Sequence, residues 1–337
     1  MLRHDGPARI HSRDLEGAAM TAALTPEWSD LTSWNDLAGV RARLDAGADP
    51  EWGAYTFERP LHAAAARGTA EVVAELAGRV DDVDAECEGR TALWEAVFND
   101  RPENVRALVA AGADPWRPMM GGWSPGRLSL AGPTPGLFFP FPPGHEGLSE
   151  AETAAVREAD RLIAALDDPE FDGYSLSCVR GISAAEAASR LAAEPFDEEE
   201  LQAIVEDGYS EEAVRVVGFT DVPGGCVVSQ AWGYLAATPV VMNALSEGTV
   251  AYGMYANPKS GDQGRVHRDG KVTAWDTHPG GGHVSPGDSP AEILRTYLYQ
   301  DYALAYCYAG AGLRATGRCA ITEPGTRLRL PDRDYWH

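Results

Sequence analysis

Val40-Arg41-Ala42, followed by Ala46-Gly47-Ala48-Asp49-Pro50, returns as Val105-Arg106-Ala107, followed by Ala111-Gly112-Ala113-Asp114-Pro115. The offset is 65 residues, close to two periods of 33. A middle copy fills the gap: Leu61, Glu71, Val73 and Leu76 recur 32 residues later at Leu93, Glu103, Val105 and Leu108. A fixed period of this length means stacked repeat units, none of which can bury its apolar face alone.

In the second copy, Arg59-Pro60-Leu61-His62-Ala63-Ala64 opens a helix. Pro60 suits the first turn, which needs no amide donor there. Ala63 to Ala66 keep the helix slim, and Gly68 ends it. Glu71 to Ala77 supply a second helix with Val72, Val73 and Leu76 as its buried stripe. The third copy reads Arg90-Thr91-Ala92-Leu93-Trp94-Glu95-Ala96, and Asn99-Asp100-Arg101-Pro102 stands where a glycine turn is usual. The period and the Gly-Ala-Asp turn resemble ankyrin repeats, whose Thr-Pro-Leu-His-x-Ala motif starts the first helix. That resemblance implies stacked helix–turn–helix units that recognise other proteins. The third copy departs from the motif, with Ala92 for its proline and Trp94 for its histidine. Tryptophan cannot accept a hydrogen bond, so packing is expected to hold this turn.

The first copy, about 28–58, reads as an N-terminal cap. A fourth begins at Gly122-Trp123-Ser124-Pro125 and continues to Ala131. Its second helix is expected over Ser149 to Leu166, with Ala154, Ala155, Ala159, Leu162, Ile163 and Leu166 on one face. Ser149 and Glu152 form a capping-box pattern. Between these pieces runs Leu137-Phe138-Phe139-Pro140-Phe141-Pro142-Pro143. Proline forbids regular structure there, and so apolar a loop must dock on something.

Consensus positions of a repeat hold the stack together, so ligand information sits where the copies disagree. Those positions carry Trp52, Tyr55 and Phe57 after the first repeat, and Trp116, Met119, Met120 and Trp123 after the third. Aromatic groups in loops anchor partners, or they pack internally because large apolar groups are seldom left bare. Both readings stand at this point.

The pattern changes near Gly173. Strands are expected over Tyr174–Val179, Val214–Phe219, Gly225–Ala231 and Thr249–Ala256, with a hairpin turning at Asp269-Gly270 between Gly264–His267 and Lys271–Trp275. Helices are expected over Ala184–Ala193, from Thr238 or Pro239 to Leu245, and from the Ser289-Pro290-Ala291-Glu292 opening to about Tyr308. Without regular βαβ alternation this is an α+β domain with a mostly antiparallel sheet. Val179-Arg180-Gly181-Ile182-Ser183-Ala184-Ala185-Glu186-Ala187, Gly233-Tyr234, Leu245-Ser246-Glu247-Gly248 and Arg268-Asp269-Gly270-Lys271-Val272 resemble a bacterial domain family of unknown function. That resemblance implies a fold and no mechanism. The division expected is a disordered tail over 1–25, an all-α ankyrin-repeat stack over 26–168 and the α+β domain over 173–337. Met20 precedes a plausible domain start, so the first 19 residues read either as a tail or as the product of an upstream start codon.

The chain has 337 residues and a net charge of −23, from 51 acidic and 28 basic residues. Such a balance repels phosphates, which argues against nucleic acid or an anionic membrane as the main partner. No apolar run approaches the roughly 18 residues of a membrane span. The N-terminus lacks an apolar signal core. Cys87, Cys178, Cys226, Cys307 and Cys319 are odd in number and widely spaced, fitting a reduced, cytoplasmic setting.

The run from Glu194 to Glu212 includes Glu198, Glu199, Glu200, Glu206 and Asp207 without a basic residue. It reads as a solvated helix face or as an acidic surface for a basic partner. His267, His278 and His283 lie near Asp269 and Asp276, but a glycine-rich connection gives no rigid ligand frame, so no metal is expected. Cys226 shows no base beside it and reads as a buried strand residue. No cofactor is expected. The main functional reading is a non-catalytic binding protein that recognises another protein through its repeats, with oligomeric state open. One alternative is a toxin-neutralising protein using its acidic surface. The other is an enzyme with the second half catalytic and His267, His278, Asp276 and Cys226 as candidates.

Overall fold

The computed structural model describes residues 28, 31, 33–52, 59–138, 140–167, 173–197, 213–276 and 278–337. The tail expected over 1–25 lies outside them, as do Tyr55, Phe57, Glu198, Glu199, Glu200, Glu206 and Asp207.

The repeat half contains α1 (Leu37–Asp45), α2 (Pro60–Arg67), α3 (Ala70–Ala77), α4 (Ala92–Phe98), α5 (Pro102–Ala110) and α6 (Pro125–Ser129). Pro60, Pro102 and Pro125 each stand in a first turn, where a missing amide donor loses nothing. An inner row stacks α2 on α4 on α6, and an outer row stacks α1 on α3 on α5. Small alanine side chains let the inner helices approach. Val72, Val73 and Leu76 of α3 and Val105 and Leu108 of α5 are buried between the rows. Burying each leucine side chain contributes about 1.5–3 kcal/mol.

The repeated turn has a backbone cause. Gly47 and Gly112 hold φ of +93° and +101°, a region that glycine enters without penalty. In both copies the next alanine closes the same bond: Ala48 N–H donates to Arg43 O at 2.9 Å and Ala113 N–H to Leu108 O at 3.1 Å. The third copy's departure is handled as expected. His62 Nε2 lies 2.9 Å from Arg90 O. Trp94, at the matching position, is fully buried, stacks on Phe98 at 6.1 Å and leaves its Nε1–H without an acceptor.

Helix α7 (Glu150–Leu166) starts with the expected Ser149/Glu152 capping box. It packs on the second half, and its Ala159, Leu162 and Leu166 join that half's core. The strands are β1 (Ser175–Arg180), β2 (Val216–Val222), β3 (Gly225–Gln230), β4 (Val250–Asn257), β5 (Gly261–Arg268), β6 (Lys271–Asp276) and β7 (Thr326–Arg329). They form a sheet in the order β6-β5-β4-β1-β3-β2-β7, with antiparallel neighbours throughout. The remaining helices are α8 (Ala184–Arg190), α9 (Pro239–Leu245), α10 (Pro290–Leu298), α11 (Ala303–Ala311) and α12 (Cys319–Thr322).

Side-chain alternation splits the sheet between two cores. Leu176, Cys178, Val227, Tyr252 and Met254 face α7 and α11. Val179, Cys226, Val228 and Ala251 face α8 and α9. An all-α repeat stack followed by an α+β domain is therefore the architecture. One expected element is corrected: the helix running from Pro290 to about Tyr308 is two helices. Asp301 takes a left-handed φ of +66°, and its N–H donates to Gly280 O at 2.8 Å. That tie to a distant loop turns the chain between α10 and α11. Among the described residues no helix is long and apolar enough to cross a membrane.

Candidate recognition surface

The inner helices offer little surface. Pro60–Ala66 of α2 are buried, as are Ala92, Leu93, Trp94, Ala96, Val97 and Phe98 of α4. The second half covers the far end of this row. Tyr297 of α10 packs on Phe98 at a ring separation of 5.3 Å, and Val284, Ile293 and Leu294 join the repeat core.

Two of the candidate anchors lie in this junction. Trp123 is fully buried, and its Nε1–H donates to Pro290 O at 3.0 Å. Met120 is buried beside it, next to Gly121, whose left-handed backbone leaves room for Ile293 and Pro290. Met119 is half-buried and its Sδ lies 3.7 Å from Thr91 Oγ1. Trp116 is half-buried under the proline-rich loop. Phe141 and Phe138 meet it edge-on at 5.7 and 6.0 Å, and His145 lies 4.7 Å away. The apolar loop therefore docks on its own repeat stack, and these side chains contribute packing.

Trp52 is different: 73% of its surface is exposed. It sits at the first loop tip, at the start of a row of carboxylates. Asp81 N–H donates to Glu51 Oε1 at 2.7 Å, and Asp114 N–H to Asp84 Oδ2 at 3.0 Å. Both bonds span 30 residues, so each tip is tied to a neighbouring one. Arg117 Nη2 donates to Glu86 at 2.6 Å and its Nη1 to Asp84 O at 3.1 Å; Arg59 pairs with Glu51. Asp81, Asp82, Glu86 and Asp114 remain exposed. Burial raises the Asp84 carboxyl above its usual range, opposed by the Asp114 amide and reinforced by the Asp114 and Asp82 charges. The tips thus form an acidic edge with negative charges pressed together. The 30-residue spacing of Glu51/Asp81 and Asp84/Asp114 is visible in the sequence, but no local pattern marks these carboxylates as tied to the next tip.

The structure separates the enzyme candidates. Cys226 is buried on the α8/α9 face, and burial, with nearby Asp221 and Glu186, pushes its thiol up to about 12. A thiol so protonated is a poor nucleophile. His267 faces the same side, with Nδ1 2.8 Å from Asn243 Oδ1. Asp276 and His278 line a cavity on the opposite side of the sheet, with His283. Among the described residues no three His, Cys, Asp or Glu side chains gather as a metal site.

No curated protein matches the chain. Residues 33–119 match the family described as ankyrin repeats, in three copies, and this segment is an ankyrin-repeat stack.

Proposed function

We propose that the protein binds another protein through the acidic loop edge of its repeats, with Trp52 as the central anchor and basic side chains on the partner. The observation that carries this reading is the bare Trp52 beside the tethered carboxylates. Ankyrin repeats generally act in protein–protein recognition, and the inner helices are already covered here. An exposed tryptophan contributes strongly once a partner desolvates it. Bonds from backbone amides to the Glu51 and Asp84 carboxylates hold the tips in place, so little ordering entropy is lost on binding. Neutralisation of a basic toxin is one instance of this reading.

The test is capture of partners from the native cell by the full chain and by a Trp52→Ala/Asp81→Lys double variant. Both positions are exposed, so the fold should survive, as circular dichroism would check. The expected result is loss of the captured partner by the variant, and weakening of the native complex as salt rises. Equal capture by both chains, or binding insensitive to salt, would rule out the acidic edge.

A further inference from the structure

A second site lies in the α+β domain, in a cavity of about 570 Å³ between the β4–β6 end of the sheet, the loop at 278–288, α10 and α11. Its size falls within the usual range for small-molecule sites. Tyr252 and Tyr306 supply aromatic walls, meeting edge-on at 5.9 Å, with Val266 and Ala274 beside them.

The charges in this cavity are unbalanced in an informative way. Arg295 borders it, with its guanidinium 5.1 Å from the Tyr306 ring centre. Its Nε is enclosed without an acceptor, and no carboxylate of the described residues lies within ion-pair distance of it. Three carboxylates share the same walls: Asp276, Asp288 and Glu292. Each is oriented by uncharged donors only. Asp276 accepts from the Tyr252 hydroxyl at 2.6 Å and from His278 N–H at 3.1 Å. Asp288 accepts from Ser285 N–H at 2.8 Å, and Glu292 from Ser289 N–H at 2.9 Å. These bonds fix the carboxylates in place; Glu292 also feels the Arg295 charge from the next turn of α10, which leaves Asp276 and Asp288 as the excess. A half-buried guanidinium with no carboxylate in direct contact and an unaccepted Nε–H favours an anion. A pure anion entering here would also meet three fixed negative charges.

We propose that this cavity binds a small zwitterion of the amino-acid type, its carboxylate on Arg295 and its ammonium among Asp276, Asp288 and Glu292. A molecule with both ends supplies the acceptor that the guanidinium lacks and relieves the carboxylate excess together. The tyrosine rings accommodate the apolar part and add attraction for an ammonium. Bidentate pairing with a guanidinium fixes the orientation.

The experiment is calorimetric titration of the full chain with each free L-amino acid in turn, up to about 20 mM, a range that detects even millimolar affinity. At least one should bind saturably. Its N-acetyl and its carboxamide derivatives, lacking one charge each, should bind at least about tenfold more weakly. Arg295→Met and Asp276→Asn should abolish binding, whereas Arg314→Met, outside the cavity, should retain it. Asp276→Asn preserves shape, and the derivatives are tested on the unaltered chain, so misfolding of one variant cannot hide the answer. Absence of saturable binding by every amino acid would overturn the proposal. So would equal affinity for either derivative, or undiminished binding by folded Arg295→Met.

Discussion

At His267 the ring nitrogen Nδ1 lies 2.8 Å from Asn243 Oδ1, an oxygen that can only accept, so Nδ1 carries the hydrogen. Nε2 is enclosed and has no partner. Protonation would place a charged N–H against an apolar wall, with the Arg265 charge nearby. Burial first, then Arg265, lowers the imidazole from 6.5 to about 4. The unfolded chain therefore binds a proton that the folded chain refuses between these values. Stability from this source is complete above the unfolded value and is lost as pH falls towards about 4. Between pH 7 and pH 4.5, wild type should lose about 2–3 kcal/mol relative to His267→Leu, measured by urea unfolding. Parallel stability curves for the two chains would show that the buried ring does not titrate this way. The sequence displayed His267 as a possible ligand. Its burial depended on strand register against α9, which no local pattern reveals.

Among the elements, α5 ties itself to the preceding repeat through one side chain. Asn104 is buried, and its amide donates to Ala65 O at 2.9 Å and Gly68 O at 3.0 Å, at the end of α2. Arg101 Nε adds a bond to Ala66 O at 3.0 Å. These donors satisfy carbonyls that a helix end leaves open. Asn104→Ala should destabilise the chain by about 1–3 kcal/mol in urea unfolding, since it strands buried acceptors. Glu103→Ala next to it, on an exposed position, should change stability by less than about 0.5 kcal/mol. The repeat helices were legible because their period, first-turn prolines and left-handed glycines are local signals. The same holds for the Asp269-Gly270 hairpin and the Ser149/Glu152 cap. Asn104 was passed over because its value lies in a contact one repeat away. The break between α10 and α11 was also hidden, since it is set by a bond from Asp301 to Gly280. The short strand β7 lacked any strong alternation of its own.

For the whole molecule, the two halves share one apolar junction. Trp123, Met120 and Phe98 of the repeats meet Ile293, Leu294 and Tyr297 of α10 in a single core cluster. The sequence could supply the large apolar residues at the end of the stack, but not what they would face. Once they are assigned to the junction, the loop edge and the outward sides of α1, α3 and α5 remain accessible, and of these the edge carries the bare tryptophan. It is carried on a body braced at its far end, which suits recognition by a fixed set of tips. The most direct measurement is site-specific photo-crosslinking in the native cell, with a photoreactive residue at position 52 or, as a control, at position 109. Val109 is 38% exposed and lies within the outer helix α5 rather than in a loop. The expected result is a discrete protein crosslinked from position 52, weakened by salt and absent from position 109. No discrete crosslink from position 52, or the same product from both positions, would contradict recognition through the loop edge.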